Sequence, residues 1–300
     1  MRTFSLALAA IAASFAFGTA QARTVEKQVS ADPHGKVEVN TVSGHIVITG
    51  WDQPQVAVTA DLESDSQQLE VKSEGGRTSI RITRGSPGWF GGGGGARLEV
   101  RVPRGSEVNA SAVSADIISR GVAGAQNLHS VSGGIDAELG AGNNEVKTVS
   151  GAIHLKGSGG SGGSGSLHVT SVSGEVTVAN LAGDLEASTI SGDLEAQLGS
   201  TRSVRLHTTS GELHLNARLD RGGSVETETV SGEQRIAASA AGGFQYEVSS
   251  FSGDIDDCFG QRAERTSQYG PGRRLDGTRG SGDGRVRIKS LSGDISLCDH

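Results

Sequence analysis

A Ser-Gly dipeptide in a fixed setting recurs along most of this 300-residue chain, and its spacing restricts the folds open to it. The copies are Ser43-Gly44, Ser132-Gly133, Ser150-Gly151, Ser173-Gly174, Ser191-Gly192, Ser210-Gly211, Ser231-Gly232, Ser252-Gly253 and Ser292-Gly293, with Ser114-Ala115 as a degenerate tenth. Thr189-Ile190-Ser191-Gly192-Asp193-Leu194 shows the usual setting: a hydroxyl residue and an aliphatic before, an acid and an aliphatic after. From Ser114 to Ser252 the serines fall 18, 18, 23, 18, 19, 21 and 21 residues apart. A unit that short cannot close a core of its own and must bury its apolar face against its neighbours in a stack.

With the serine as position 0, aliphatics recur at −6 and −4 (Val204 and Leu206; Val286 and Ile288), at −1, and at +3 and +5 (Leu213 and Leu215; Ile295 and Leu297). Alternation means two short strands per unit, each with one inward face. The parity changes between −4 and −1, which places a bend there, and the Gly at +1 marks a second point where a Cβ is unwelcome. On this reading −1 joins the core, while the hydroxyls at −2 and 0 face outward. The fold class predicted is all-β, a parallel β-solenoid (β-helix-like) of about 18–21-residue coils, stacked at about 4.8 Å. Composition agrees: 46 Gly and only 4% aromatic residues suit many tight turns around a thin core.

The flanking segments differ. Residues 1–22 read as a signal peptide, with Arg2, an apolar run from Phe4 to Phe17, and Ala20-Gln21-Ala22 as the cleavage site. Residues 23–105 hold alternating strands and one motif copy, an N-terminal β-rich cap with Gly88 to Gly95 as an exposed loop, and residues 106–300 form the repeat region. Two insertions are expected outside the stack: the Gly/Ser tract from Gly157 to Ser166, and a loop at 259–284. No run after the signal is long and apolar enough for a membrane-spanning helix. The formal charge of −7 argues against nucleic acid as a partner.

Cys258 and Cys298 each lie six residues after a motif serine, Ser252 and Ser292. If 259–284 loops out, these are neighbouring coils, and equivalent positions lie about 4.8 Å apart, within disulfide reach. Export to an oxidising compartment favours the bridge, and parity puts it at a corner or on the outside.

The recurring [Thr/Ser]-Val-Ser-Gly-Asp-Ile units, the secretion signal, the lead-in Val102-Pro103-Arg104-Gly105 and the closing Ser290-Leu291-Ser292-Gly293-Asp294-Ile295 resemble the DUF4097 family of bacterial β-strand-repeat proteins, whose members carry an adhesin description. The resemblance implies an envelope protein, in the periplasm or at the cell surface, with a solenoid fold. It carries over no catalytic residue.

The residues themselves give little support to catalysis. A catalytic site on a repetitive wall should break the pattern, yet Glu175, Asp193, Glu212, Glu233, Asp254 and Asp294 all follow it at +2, where turn chemistry explains them. A calcium solenoid would show a nine-residue Gly-rich step, found only at Gly174, Gly183 and Gly192. Gly159-Gly160-Ser161-Gly162-Gly163 matches a nucleophile elbow only by composition. His154 and His214 share a column three coils apart, too far for one metal. No cofactor is implied. The expectation is a non-enzymatic exported scaffold or adhesion module, with a polysaccharide-active β-helix enzyme or a calcium solenoid as alternatives. Its most distinctive surface is the basic stretch Arg262, Arg265, Tyr269, Arg273, Arg274 and Arg279, a possible site for an envelope glycan or another envelope protein.

Overall fold

The computed structural model describes residues 23–64, 66–84, 95–157, 165–268 and 270–299. The signal segment with its cleavage site, most of the Gly88 to Gly95 loop, the Gly/Ser tract at 158–164 and Tyr269 lie outside them. The described residues are all-β without a helix, and their strands join in one hydrogen-bonded network dominated by parallel pairing.

Each repeat contributes two short strands, and equivalent residues of successive repeats pair directly. Ser43 registers with Ser114, Ser150 with Ser173, Ser173 with Ser191, Ser191 with Ser210, and Ser210 with Ser231. On the second strand Ile117, Ile135, Ile153, Val176, Leu194 and Leu213 follow one another in the same way. The side chains at −6, −4, +3 and +5 therefore stack into ladders: Val204, Leu206, Leu213 and Leu215 are at most 2% exposed, inside one continuous core. Four such aliphatics, each contributing about 1.5–3 kcal/mol on full burial, offset much of the ordering entropy of a tier.

The corner between the strands differs from the expectation. The residues at −2, among them Thr148, Ser171, Thr189 and Thr208, are buried, whereas those at −1 are exposed. The parity break thus falls between −2 and +3, at the Val-Ser-Gly segment itself. Gly at +1 makes this bend: Gly192 has φ +144°, and a Cβ there would sit 2.3 Å from the Gly174 carbonyl oxygen in the tier below. An aliphatic at −1 has the hydrophobicity of a core residue, but the backbone turns before that side chain can point in.

The order of the last tiers also departs from chain order. Ser292 pairs with Ser231 on one side and with Ser252 on the other, so the segment Gly284–Cys298 lies between two repeats that precede it in sequence. Contacts of the glycines say the same: a Cβ on Gly293 would strike Gly232 O, and one on Gly253 would strike Gly293 O. Numbered in space, the motif serines are Ser43 (tier 1), Ser114, Ser132, Ser150, Ser173, Ser191, Ser210, Ser231 (tier 8), Ser292 (tier 9) and Ser252 (tier 10).

Antiparallel strands close both ends. Tier 1 (Lys36–Trp51) is covered by Arg77–Arg84 and Ala96–Pro103, which pair in turn with antiparallel Gln67–Glu74 and Gln55–Leu62, and Arg23–Ser30 lies outermost. The 70 residues between Ser43 and Ser114 are an excursion that leaves a tier, covers its outer edge and returns to its other side. At the far end the stretch at 259–284 is not wholly a loop outside the stack. Its strand Arg273–Thr278 pairs antiparallel with Phe244–Ser252 and covers the free edge of tier 10. An open parallel edge is a template for unwanted pairing, which is a physical reason for a reversed strand at each end.

Candidate binding surface

The repeated corner presents three parallel columns. Innermost are the −2 hydroxyls, where Ser130 Oγ donates to Ala115 O at 3.2 Å and Ser250 Oγ to Gly293 O at 3.4 Å. The −2 side chains are buried at the corner rather than exposed to solvent, which corrects their expected outward direction, although the hydroxyls of Thr148, Ser171, Thr189 and Thr208 have no hydrogen-bond partner among the described residues; the serines at 0 are on the outside. Next comes the −1 column. Val42, Val113, Val131, Val149, Val172, Ile190, Val230, Phe251 and Leu291 are between 38% and 59% exposed, and they are the large hydrophobic residues left open on the described surface.

The third column is the acids at +2. Asp116 accepts the Gly134 N–H at 2.8 Å, Asp193 the Glu212 N–H at 2.9 Å and Asp294 the Asp254 N–H at 2.8 Å. Each of these carboxylates satisfies a corner donor one tier on, a structural use that repeats with the motif. His154 and His214 share their column through Thr177 and Glu195, as the spacing implied. Among the described residues no cluster of His, Cys, Asp and Glu is arranged to hold a metal ion.

Cys258 and Cys298 form a disulfide with a Cα–Cα distance of 5.0 Å. The bridge joins tiers 10 and 9 on the outside of the second strands, where Cys258 is exposed and Cys298 half-buried.

The basic stretch divides into two groups. Arg273 pairs with Asp254 at 2.6 Å, Arg274 with Glu247 at 3.0 Å and Asp276 at 2.7 Å, and Arg279 with Asp299 at 2.7 Å while covering the Phe259 ring. The hydrogen bond to Asp276, with the charges of Asp276 and Glu247, holds the Arg274 guanidinium above its ordinary pKa range. These three arginines fasten the closing strand to the stack. Arg262 and Arg265 are exposed and make no ion pair among the described residues. Arg265, Gln268, Pro271 and Arg273 wall an open cleft of ≈ 520 Å³ whose other side is Ser252, Gly253, Asp254 and Asp294. The last two motif corners and the basic segment therefore share one concavity.

Sequence reading missed a pair of pattern-breaking residues in tier 8. Gln234 and Thr227 occupy the +3 and −4 positions that are aliphatic in neighbouring tiers. Thr227 Oγ1 donates to Gln234 Oε1 at 2.7 Å, and Gln234 Nε2 donates to Thr229 Oγ1 and to Lys289 O in tier 9, both at 2.8 Å. Their signal was the interruption of two otherwise apolar columns in a single repeat.

Stacked two-strand repeats, a disulfide at one end and capped edges define a repeat protein of parallel β units. More narrowly, the chain belongs to the Toastrack DUF4097 family, whose model matches residues 34–298. Among solved structures it is similar to a "putative adhesin" from Bacteroides fragilis (10% identity, 94% of this chain and 99% of that one, TM-score 0.40). Another "putative adhesin", from Parabacteroides distasonis, is 14% identical over 92% of this chain and 98% of that one, with a TM-score of 0.37. A "putative lipid binding protein" from the same species is 11% identical over 91% and 96%, with a TM-score of 0.38. No curated protein matches the chain.

Proposed function

We propose that this chain is a non-enzymatic, exported envelope protein: a parallel β-solenoid with an N-terminal β-rich cap (residues 23–105), whose C-terminal end binds an acidic glycan. The observation that carries this reading is the cleft in which the exposed Arg265, with no ion pair among the described residues, faces the final motif corners, while Arg273 on the same wall is paired with Asp254. A guanidinium offers a planar fork of donors suited to a carboxylate, and the neighbouring Ser252, Gln268 and Asp294 suit sugar hydroxyls. The acidic column elsewhere supports a binding role over a catalytic one, because its members follow the repeat and Asp116, Asp193 and Asp294 serve backbone donors. Export is supported by residues 1–22 and by a disulfide, a bond that persists in oxidising compartments.

The test uses point variants, since deleting the whole stretch would also uncover tier 10. Arg265→Glu should lower retention of a polyuronate about tenfold or more while a neutral polysaccharide is unaffected. Undiminished retention would reject the cleft, and release of new reducing ends from the polymer would reject the non-enzymatic reading.

A further inference from the structure

The −1 column is a continuous object rather than a scatter of exposed side chains. In spatial order it runs Val42, Val113, Val131, Val149, Val172, Ile190, Thr209, Val230, Leu291, Phe251, one residue per tier, and at about 4.8 Å per tier it is roughly 43 Å long. Stacking on neighbours hides about half of each side chain. The remainder is on the order of 700 Å² of apolar surface, against the few hundred Å² usual for a patch on a monomer and about 800 Å² per partner in a standard interface.

Two properties of the ladder change at mid-stack. Tiers 1–5 carry only Val, whereas tiers 6–10 carry Ile190, Thr209, Val230, Leu291 and Phe251, which include every bulkier side chain of the column. Beside it, the +2 column reads His45, Asp116, Gly134 and Ala152 in tiers 1–4 but is acidic throughout tiers 5–10, from Glu175 to Asp254. Each asymmetry is complementary to its own reverse.

We infer that a second copy of this chain packs on this ladder in antiparallel orientation, about a two-fold axis crossing it between tiers 5 and 6. Such an isologous contact sets tier 1 against tier 10, tier 2 against tier 9, and so on. Phe251 then meets Val42, Leu291 meets Val113, and Ile190 meets Val172, so each of the three bulkier side chains faces a valine. The two +2 columns run side by side, with the acid-rich half of one against the acid-poor half of the other. His45 faces Asp254, Gly134 faces Glu233 and Ala152 faces Glu212. Two like-charge meetings remain, Asp116 with Asp294 and Glu175 with Asp193. Parallel packing would instead set Phe251 on Phe251 and leave the valine half loosely filled. The matching repeat of about 4.8 Å in both copies keeps each facing pair of tiers level along the full length, so the strip can close as a dry β interface. This inference does not depend on the glycan cleft, which lies at the end of the stack.

The experiment is sedimentation of residues 23–300, disulfide intact, over a concentration series. A dimer is expected with Kd on the order of 1–10 μM. Val131 and Val230 face each other across the axis, so Val131→Glu and Val230→Lys should each weaken the homodimer by about tenfold or more. An equimolar mixture of the two should recover a heterodimer, since its contacts are one Glu–Lys and one Val–Val. Recovery instead from a mixture of Val131→Glu with Val131→Lys would show parallel packing and overturn the orientation. A wild-type chain that stays monomeric at about 100 μM, or a ladder that binds phospholipid vesicles and not itself, would overturn the proposal. Should either charged variant misfold, oxidation of a Val131→Cys chain mixed with a Val230→Cys chain gives an independent reading: a covalent heterodimer of the two supports the arrangement, and its absence, or homodimers of either chain alone, rejects it.

Discussion

Tiers 2 to 7 and tiers 8 to 10 are built from the same motif, yet only the first group stacks in chain order. In tiers 5 to 7 each tier meets its neighbour through repeated aliphatic ladders that would accept almost any other tier equally well. Tiers 2 to 4 carry buried polar contacts of their own: Ser119 Oγ donates to Gln126 Oε1 at 2.6 Å, Gln126 Nε2 to Glu138 O at 2.7 Å, and the Gln126 N–H to Asn144 Oδ1 at 3.0 Å. Interchangeable contacts give strength without specifying which tier goes where, just as uniform strands specify register weakly. At the C-terminal end the chain leaves tier 8, builds tier 10, runs back along its outer edge and only then fills the slot as tier 9. That route is marked by side-chain contacts that tie particular tiers together. Gln234 reaches Lys289 O, Thr229 Oγ1 donates to Ser290 Oγ at 3.3 Å, and Cys258 is bonded to Cys298. Phe244, Tyr246 and Phe259 form an aromatic cluster beside tier 10, where burial and the nearby Asp257 charge push the Tyr246 phenol up. Uniform residues supply the stack, and polar exceptions near both of its ends, in tiers 2 to 4 and 8 to 10, tie particular neighbours together.

The largest expected effect follows from removing the inserted tier. Deleting residues 284–300 strips tier 8 and tier 10 of the strands that pair with both. Amide exchange should then show 244–278 losing protection altogether while tiers 2 to 7 keep theirs, because each tier is held by its immediate neighbours. Collapse of the middle tiers as well would mean that the stack is one cooperative unit and that the contrast between its two regions has no energetic content.

A smaller loss is expected from Cys298→Ser. The bridge spans 40 residues of sequence, a closure worth about 4 kcal/mol in the chain-entropy model. It should appear as a lower melting temperature and faster exchange confined to tiers 9 and 10. An effect spread evenly along the chain, or none under reductant, would show that the disulfide does not distinguish this end from the rest.

Much of the architecture was legible because it is periodic. Leu213, Leu215, Ile295 and Leu297 announced their inward direction by alternation, and the equal offsets of Cys258 and Cys298 from their serines announced the bridge. The corner was less legible. Val and Ile at −1 carry the composition of core residues, and only the corner backbone, with positive φ at Gly44, Gly174, Gly192, Gly211, Gly232, Gly253 and Gly293, reveals that the chain has already turned outward. Tier order was illegible to spacing, since a 40-residue gap is satisfied equally by stacking Gly284–Cys298 beyond Ser252 or beneath it. The arginines of 262–279 read as one basic patch because sequence shows charge without partners. Asp254, Glu247 and Asp299, which neutralise three of them, come from other strands or the far end of the chain.

Gln234→Leu tests the comparison at its finest grain, because it restores the aliphatic that neighbouring tiers carry at +3. If tier 8 were an ordinary tier, the change would be neutral or stabilising, with Leu continuing the column between Leu213 and Ile295. Gln234 is fully buried, however, and its amide accepts from Thr227 while donating to Thr229 and Lys289 O. Leucine leaves the Thr227 hydroxyl and the Lys289 carbonyl without those bonds in the interior, at a cost of about 1–3 kcal/mol, against roughly 1 kcal/mol or more regained from apolar burial. A net destabilisation of about 1–2 kcal/mol is expected in chemical denaturation. The loss should exceed additivity when combined with Cys298→Ser, since both act on the seating of tier 9. A stabilised single variant with the exchange pattern of the parent would show that the order of the last tiers is set by the closing strand alone.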